Sequence, residues 1–141
     1  MAIVATLAAI AVPVTQDYLY KAQVTRCVVE IRTIEKEITA FTIDRGDDTY
    51  PNSLADIQRA GLLDPWGKPY QYLNIAASLK RGHGHPAGAR KDRHMVPLNS
   101  DYDLYSMGRD GESQAPLQNP KSYDDVIRAN DGDYVGLASG Y

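Results

Sequence analysis

Three histidines, His83, His85 and His94, fall in the stretch RGHGHPAGARKDRH (81–94). Imidazoles are common metal ligands, but their spacing here matches no standard site. The interleaved glycines point instead to a solvated loop. The same stretch is basic. Lys80, Arg81, Arg90, Lys91 and Arg93 face only Asp92, a local charge of +4 on a chain of net charge −3. A basic loop on an acidic chain is expected to meet an acidic neighbour rather than nucleic acid.

The second cluster is acidic. Residues 99–141 hold Asp101, Asp103, Asp110, Glu112, Asp124, Asp125, Asp131 and Asp133 against Arg109, Lys121 and Arg128. Carboxylates crowded on irregular backbone repel one another, and a hard cation relieves that repulsion. Ca²⁺ takes six to eight oxygens, many of them backbone carbonyls. The EF-hand template fails, because counting back from Gly111 or Gly132 puts Ser106 or Ile127 in its first position. A plain solvated acidic surface is the other reading.

Other chemistry lacks its residues. The chain has no GxSxG, no glycine-rich phosphate loop and no CxxC, so nothing positions a nucleophile or a cofactor phosphate, and no enzyme is expected. The single cysteine, Cys27, cannot close an internal disulfide. It lies in an apolar stripe, where a buried, inert thiol is expected.

The elements that must carry these residues begin with an apolar run, MAIVATLAAIAVPV (1–14), in which Thr6 is the only polar member. No Lys or Arg precedes Lys21, so a signal peptide with a positive start does not fit. The run is shorter than the ~20 residues that span a bilayer. A helix apolar on all sides must be covered by lipid or by other copies of the chain, because one small domain cannot enclose it. From Val24 the pattern becomes one-sided. Val24, Cys27, Ile31, Ile34, Ile38 and Phe41 form a helical stripe that is expected to pack on a following sheet. Arg26–Glu30 and Arg32–Glu35 form same-helix ion pairs, and Gly46 is the natural stop. Pro13 predicts loosening over about Thr6–Val12, where its ring meets the preceding turn, with a helix kept there in a monomer as the alternative.

Beyond the helix, Ser53 with Asp56 resembles a capping box for a short helix at 53–60 ending at Gly61. DPWGKP (64–69) is turn chemistry. YQYLNI (70–75) and DYDLYSMG (101–108) read as strands, with a long basic insertion at 76–98 between them. A helical turn is expected at 124–129 and a short strand near 134–138. The class is α+β: one long helix, a small antiparallel sheet and a loop-rich C-terminus. Ten tyrosines against one phenylalanine suit half-exposed sheets and wet subunit contacts. Sheet packing is the default role for Tyr70, Tyr72, Tyr102 and Tyr105.

These parts match a family. LAAIAVPVTQDYLYKAQ (7–23) resembles the end of the N-terminal segment shared by type IV pilins and type II secretion pseudopilins. YPNSLADI (50–57), DPWGKPYQY (64–72) and YDLYSMGRDG (102–111) resemble the major pseudopilin group, in order and in spacing. The likeness covers most of the chain except the insertion at 76–98. It departs at the start, where the family's phenylalanine and nearby glutamate have no counterpart. Aligning Pro13 with the family's proline implies about nine further residues ahead of Met1, which would make an apolar run of about 23, enough to span.

The resemblance implies a type IV pilin-like fold divided as 1–14 (membrane and filament-core helix), 15–45 (amphipathic continuation) and 46–141 (globular domain). It implies a non-catalytic subunit, held in the inner membrane by its first helix, that polymerises with copies of itself into a helical periplasmic pseudopilus for type II secretion. Membrane lipid, minor pseudopilins and inner-membrane assembly proteins are the implied partners, and nucleic acid is not. A surface type IV pilin is the alternative, although those usually close the C-terminal loop with a disulfide. The resemblance also implies a structural calcium ion held by the carbonyls of Ser106 and Met107, by Asp110, and by Asp124 or Asp125. A third possibility, from the basic loop alone, is a binding module. It would require the first helix to pack within one chain.

Overall fold

A computed structural model describes the backbone of residues 2–141 and the side chains of residues 12–141. The architecture is α+β. Helix α1 (Ala2–Arg45) is followed by strand β1 (Gln71–Asn74), the short helix α2 (Ala76–Lys80) and strands β2 (Tyr102–Ser106), β3 (Val126–Ala129) and β4 (Tyr134–Leu137). The strands form one antiparallel sheet in the order β1-β2-β3-β4, and α1 packs against it.

The helical stripe is buried as its spacing requires. Cys27, Ile31, Ile34 and Ile38 are fully buried against Leu54, Tyr70, Tyr102, Leu104 and Val126. Val24 packs at the edge of this cluster, and Phe41 lies under the Arg45 guanidinium. Both same-helix ion pairs form, Arg26–Glu30 at 2.8 Å and Arg32–Glu35 at 2.9 Å. The helix stops at Gly46, whose φ of +69° suits a residue without Cβ. Burial pushes the Cys27 thiol up to about 11, as expected of a structural cysteine.

Arg128 of β3 ties the helix to the sheet. Its guanidinium is paired with Glu35 of α1 at 2.6 Å and with both oxygens of Asp101 at 2.7 and 2.6 Å. It also donates to the Tyr102 carbonyl and lies 4.0 Å from the centre of the Tyr102 ring.

Toward its start the described part of α1 is exposed. Residues 12–19 are all exposed, and they include Val12, Val14, Tyr18 and Leu19. Gln16 and Leu19 line a shallow cleft with Trp66 and Arg109, and the Tyr20 ring meets Trp66. The side chains of 2–11, and with them most of the apolar run 1–14, lie outside the described residues. Among the described residues no helix is long and apolar enough to cross a membrane.

One expectation is decided and three are corrected. The helix is continuous through Pro13. In the single chain residues 6–12 stay helical, the outcome allowed for a monomer, rather than loosened. The helix expected at 53–60 is a 3-10 turn, Leu54–Ile57, closed by Gln58 at φ +60° rather than by Gly61. Asp56 does reach back, accepting from the backbone of Asn52 and Ser53 as a capping box requires. The helical turn expected at 124–129 is instead the inner strand β3. Val126 and Ile127 are β-branched, and all four residues of the strand are buried. Lastly, the insertion 76–98 is only partly a solvated loop. His83, His85 and His94 are exposed, but Ala89, Arg90 and Leu98 are buried.

Candidate functional site

The candidate region is built by two turns that lock together. In the first, DPWGKP, the Asp64 carboxylate accepts from the backbone N–H groups of Trp66 (3.0 Å) and Lys68 (2.9 Å). Its other oxygen accepts from the Ser106 hydroxyl at 2.6 Å. Ser106 ends β2, and its hydroxyl in turn accepts from the Gly108 N–H at 3.0 Å. The buried Asp64 thus fastens the first turn to the second, YSMGRDG (105–111).

Gly108 brings that second turn against the end of the C-terminal loop. Its φ is +66°, and a Cβ there would lie 2.2 Å from the Asp124 carbonyl oxygen. Only glycine permits both the conformation and the approach. The Asp110 N–H then donates to the Asp124 carboxylate at 2.8 Å, and Asp110 accepts from the Glu112 N–H at 2.8 Å. Burial pushes the Asp124 carboxyl up, and the neighbouring Asp110 carboxylate adds to the rise.

The implied calcium ligands therefore divide. Ser106, Met107, Asp110 and Asp124 gather around one turn, whereas Asp125 does not join them. The Asp125 carboxylate is fully buried and accepts from Arg90 at 2.5 Å and from the Ser113 hydroxyl at 2.5 Å. Burial pushes this carboxyl up to about 6, against the pull of Ser113 and Arg90. Its second oxygen has no partner among the described residues. Asp110 and Asp124 lie close together at the turn, whereas the Asp125 carboxylate is engaged by Arg90 and Ser113. Among the described residues, no three His, Cys, Asp or Glu side chains converge as a metal cluster, so calcium here would rest on two carboxylates and backbone carbonyls.

Arg90 and Arg128 are the residues that sequence reasoning missed. Arg90 was one base among five in 80–94, and nothing in its spacing distinguishes it from the exposed Arg93. Arg90 is paired with Asp125 within the same chain.

No protein-family model matches the chain, and no curated protein or solved structure matches it.

Proposed function

We propose that the chain is a non-catalytic filament subunit, a major pseudopilin-like protein that polymerises through α1 into a helical periplasmic filament serving type II secretion. The observation that carries this reading is the exposed stretch of α1 at residues 12–19. Residues 12–19 are exposed and present Val12, Val14, Tyr18 and Leu19 to the surface, while from Cys27 onward one stripe of the helix is buried on the sheet. An exposed apolar helix of this kind needs a cover. Parallel copies of the same helix supply it in a filament, and lipid supplies it before assembly, in the inner membrane.

The motifs DPWGKPYQY and YDLYSMGRDG add support, because they supply the interlocked turns, and YPNSLADI supplies the capped 3-10 turn. Copies of the chain, minor pseudopilins and inner-membrane assembly proteins are the proposed partners. A calcium ion at Asp110 and Asp124, with carbonyls of Ser106 and Met107, is proposed as a structural addition that ties the loop to the end of β2. A surface pilus is less well supported, because the only cysteine, Cys27, is buried and free. Electron microscopy of the full-length chain after detergent removal tests the reading: filaments support it, and dispersed monomers overturn it.

A further inference from the structure

The basic insertion meets the C-terminal loop through a backbone bridge, in which Lys91 pairs with Ala115 and Leu117 at 3.0 Å each, and through one buried charged side chain. Arg90 is 1% exposed, and four parts of the chain converge on it. Its backbone N–H donates to Asp103 on β2 at 2.6 Å. One guanidinium nitrogen donates to the Gln114 carbonyl at 2.9 Å and to the Ser113 hydroxyl. The other nitrogen donates to Asp125 at 2.5 Å. The plane lies 4.3 Å from the centre of the Tyr105 ring. Ser113 completes the ring of bonds by donating to the same Asp125 oxygen.

Both terminal nitrogens are bonded, while Nε has no partner among the described residues. A planar fork that serves several acceptors at once, stacked on an aromatic face and paired with a buried carboxylate, is what arginine supplies and a lysine does not. It also does the work expected of a metal in this loop. It gathers a carbonyl, a hydroxyl and a carboxylate around one positive charge. A divalent ion bound to Asp125 would lie beside that charge in a poorly screened interior, where like charges repel strongly.

We propose that Arg90 is the built-in cation of the C-terminal loop. Asp125 is its counter-ion rather than a metal ligand, and residues 113–125 stay folded without any metal. This assigns the insertion 76–98 a role: it delivers that cation from a distant part of the chain. The proposal does not depend on how the protein assembles, and calcium at Asp110 and Asp124 would only add to it.

Hydrogen exchange of the full chain, followed by mass spectrometry, tests it in calcium and in chelator. In the parent protein, 113–125 stays protected in chelator. Arg90→Met raises exchange there on the order of a hundredfold, because it strands a buried carboxylate. Added calcium does not restore protection, whereas Arg90→Lys keeps the charge and recovers part of it. If Arg90→Met fails to fold, Asp125→Asn reads the same pair and is expected to open 113–125 equally in calcium and in chelator. The proposal is overturned if chelator alone strips protection from 113–125 in the parent. It is equally overturned if Arg90→Met or Asp125→Asn leaves that protection unchanged.

Discussion

Arg128→Met removes the guanidinium that joins α1 to the sheet while keeping much of the side chain's volume. The two carboxylates it serves are not left equally exposed. Glu35 keeps Arg32 at 2.9 Å. Asp101 keeps only the adjacent backbone N–H of Tyr102 at 2.6 Å. Their side chains are each 14% exposed, against 4% for Arg128, so water screens the loss poorly. Breaking a buried pair by deleting one partner costs about 3–5 kcal/mol, and the surviving Arg32 contact argues for the lower end, about 3 kcal/mol. For a chain of this size a loss of 1 kcal/mol lowers Tm by about 4 °C, so a drop of about 12 °C is expected. Thermal melts followed by far-UV circular dichroism measure it. The double variant Arg128→Met/Asp101→Asn removes the stranded charge as well and should melt above the single variant. A single-variant drop of less than about 3 °C, or a double variant worse than the sum of the singles, refutes the claim that this guanidinium holds helix to sheet.

Three further outcomes follow from the same geometry. Calcium should raise the Tm of the parent protein, and Asp110→Ala should abolish the rise; a parent that melts identically in calcium and in chelator removes calcium from the account. Gly108→Ala should destabilise by several kcal/mol, because its methyl group meets the Asp124 backbone and the left-handed φ disfavours any side chain; circular dichroism melts would contradict this with a shift of only a degree or two. Cys27 should resist a thiol reagent in the folded chain and react on unfolding. Its folded value of about 11 lies above the unfolded 9.0, so its contribution is intact below pH 9 and is lost as pH rises through 11. Cys27→Ala should flatten that part of the alkaline stability loss, and equal slopes in both proteins would contradict the assignment.

The helix and strands β1 and β2 were legible because their patterns repeat. The 3-4 spacing from Val24 to Ile38 marks one face of a helix, and that face is buried. The alternation in 70–75 and 101–108 marks β1 and β2. Strand β3 was not legible, because it is buried on both faces and its third residue is Arg128. A charge in the middle of a buried strand hides the strand's apolar character, and the partners that permit it, Glu35 and Asp101, lie far off in the chain. The same reason hid Arg90, whose counter-ion Asp125 is remote in sequence. The turn at Gly108 was visible as a motif, but its closeness to Asp124 depends on the closed loop. Of the candidate ligands, the sequence left Asp124 and Asp125 as alternatives; only the fold separates the rim residue from the one paired with Arg90.

The central claim is that copies of α1 cover one another's exposed apolar stretch. The most direct measurement is a cryo-electron microscopy map of polymer grown from the full-length chain. The account predicts a helical filament whose core is a bundle of parallel α1 helices, with Val12, Val14, Tyr18 and Leu19 buried between copies and the sheets facing outward. A filament built through the sheets, with those four side chains still exposed, would contradict it, as would a chain that stays monomeric once detergent is removed.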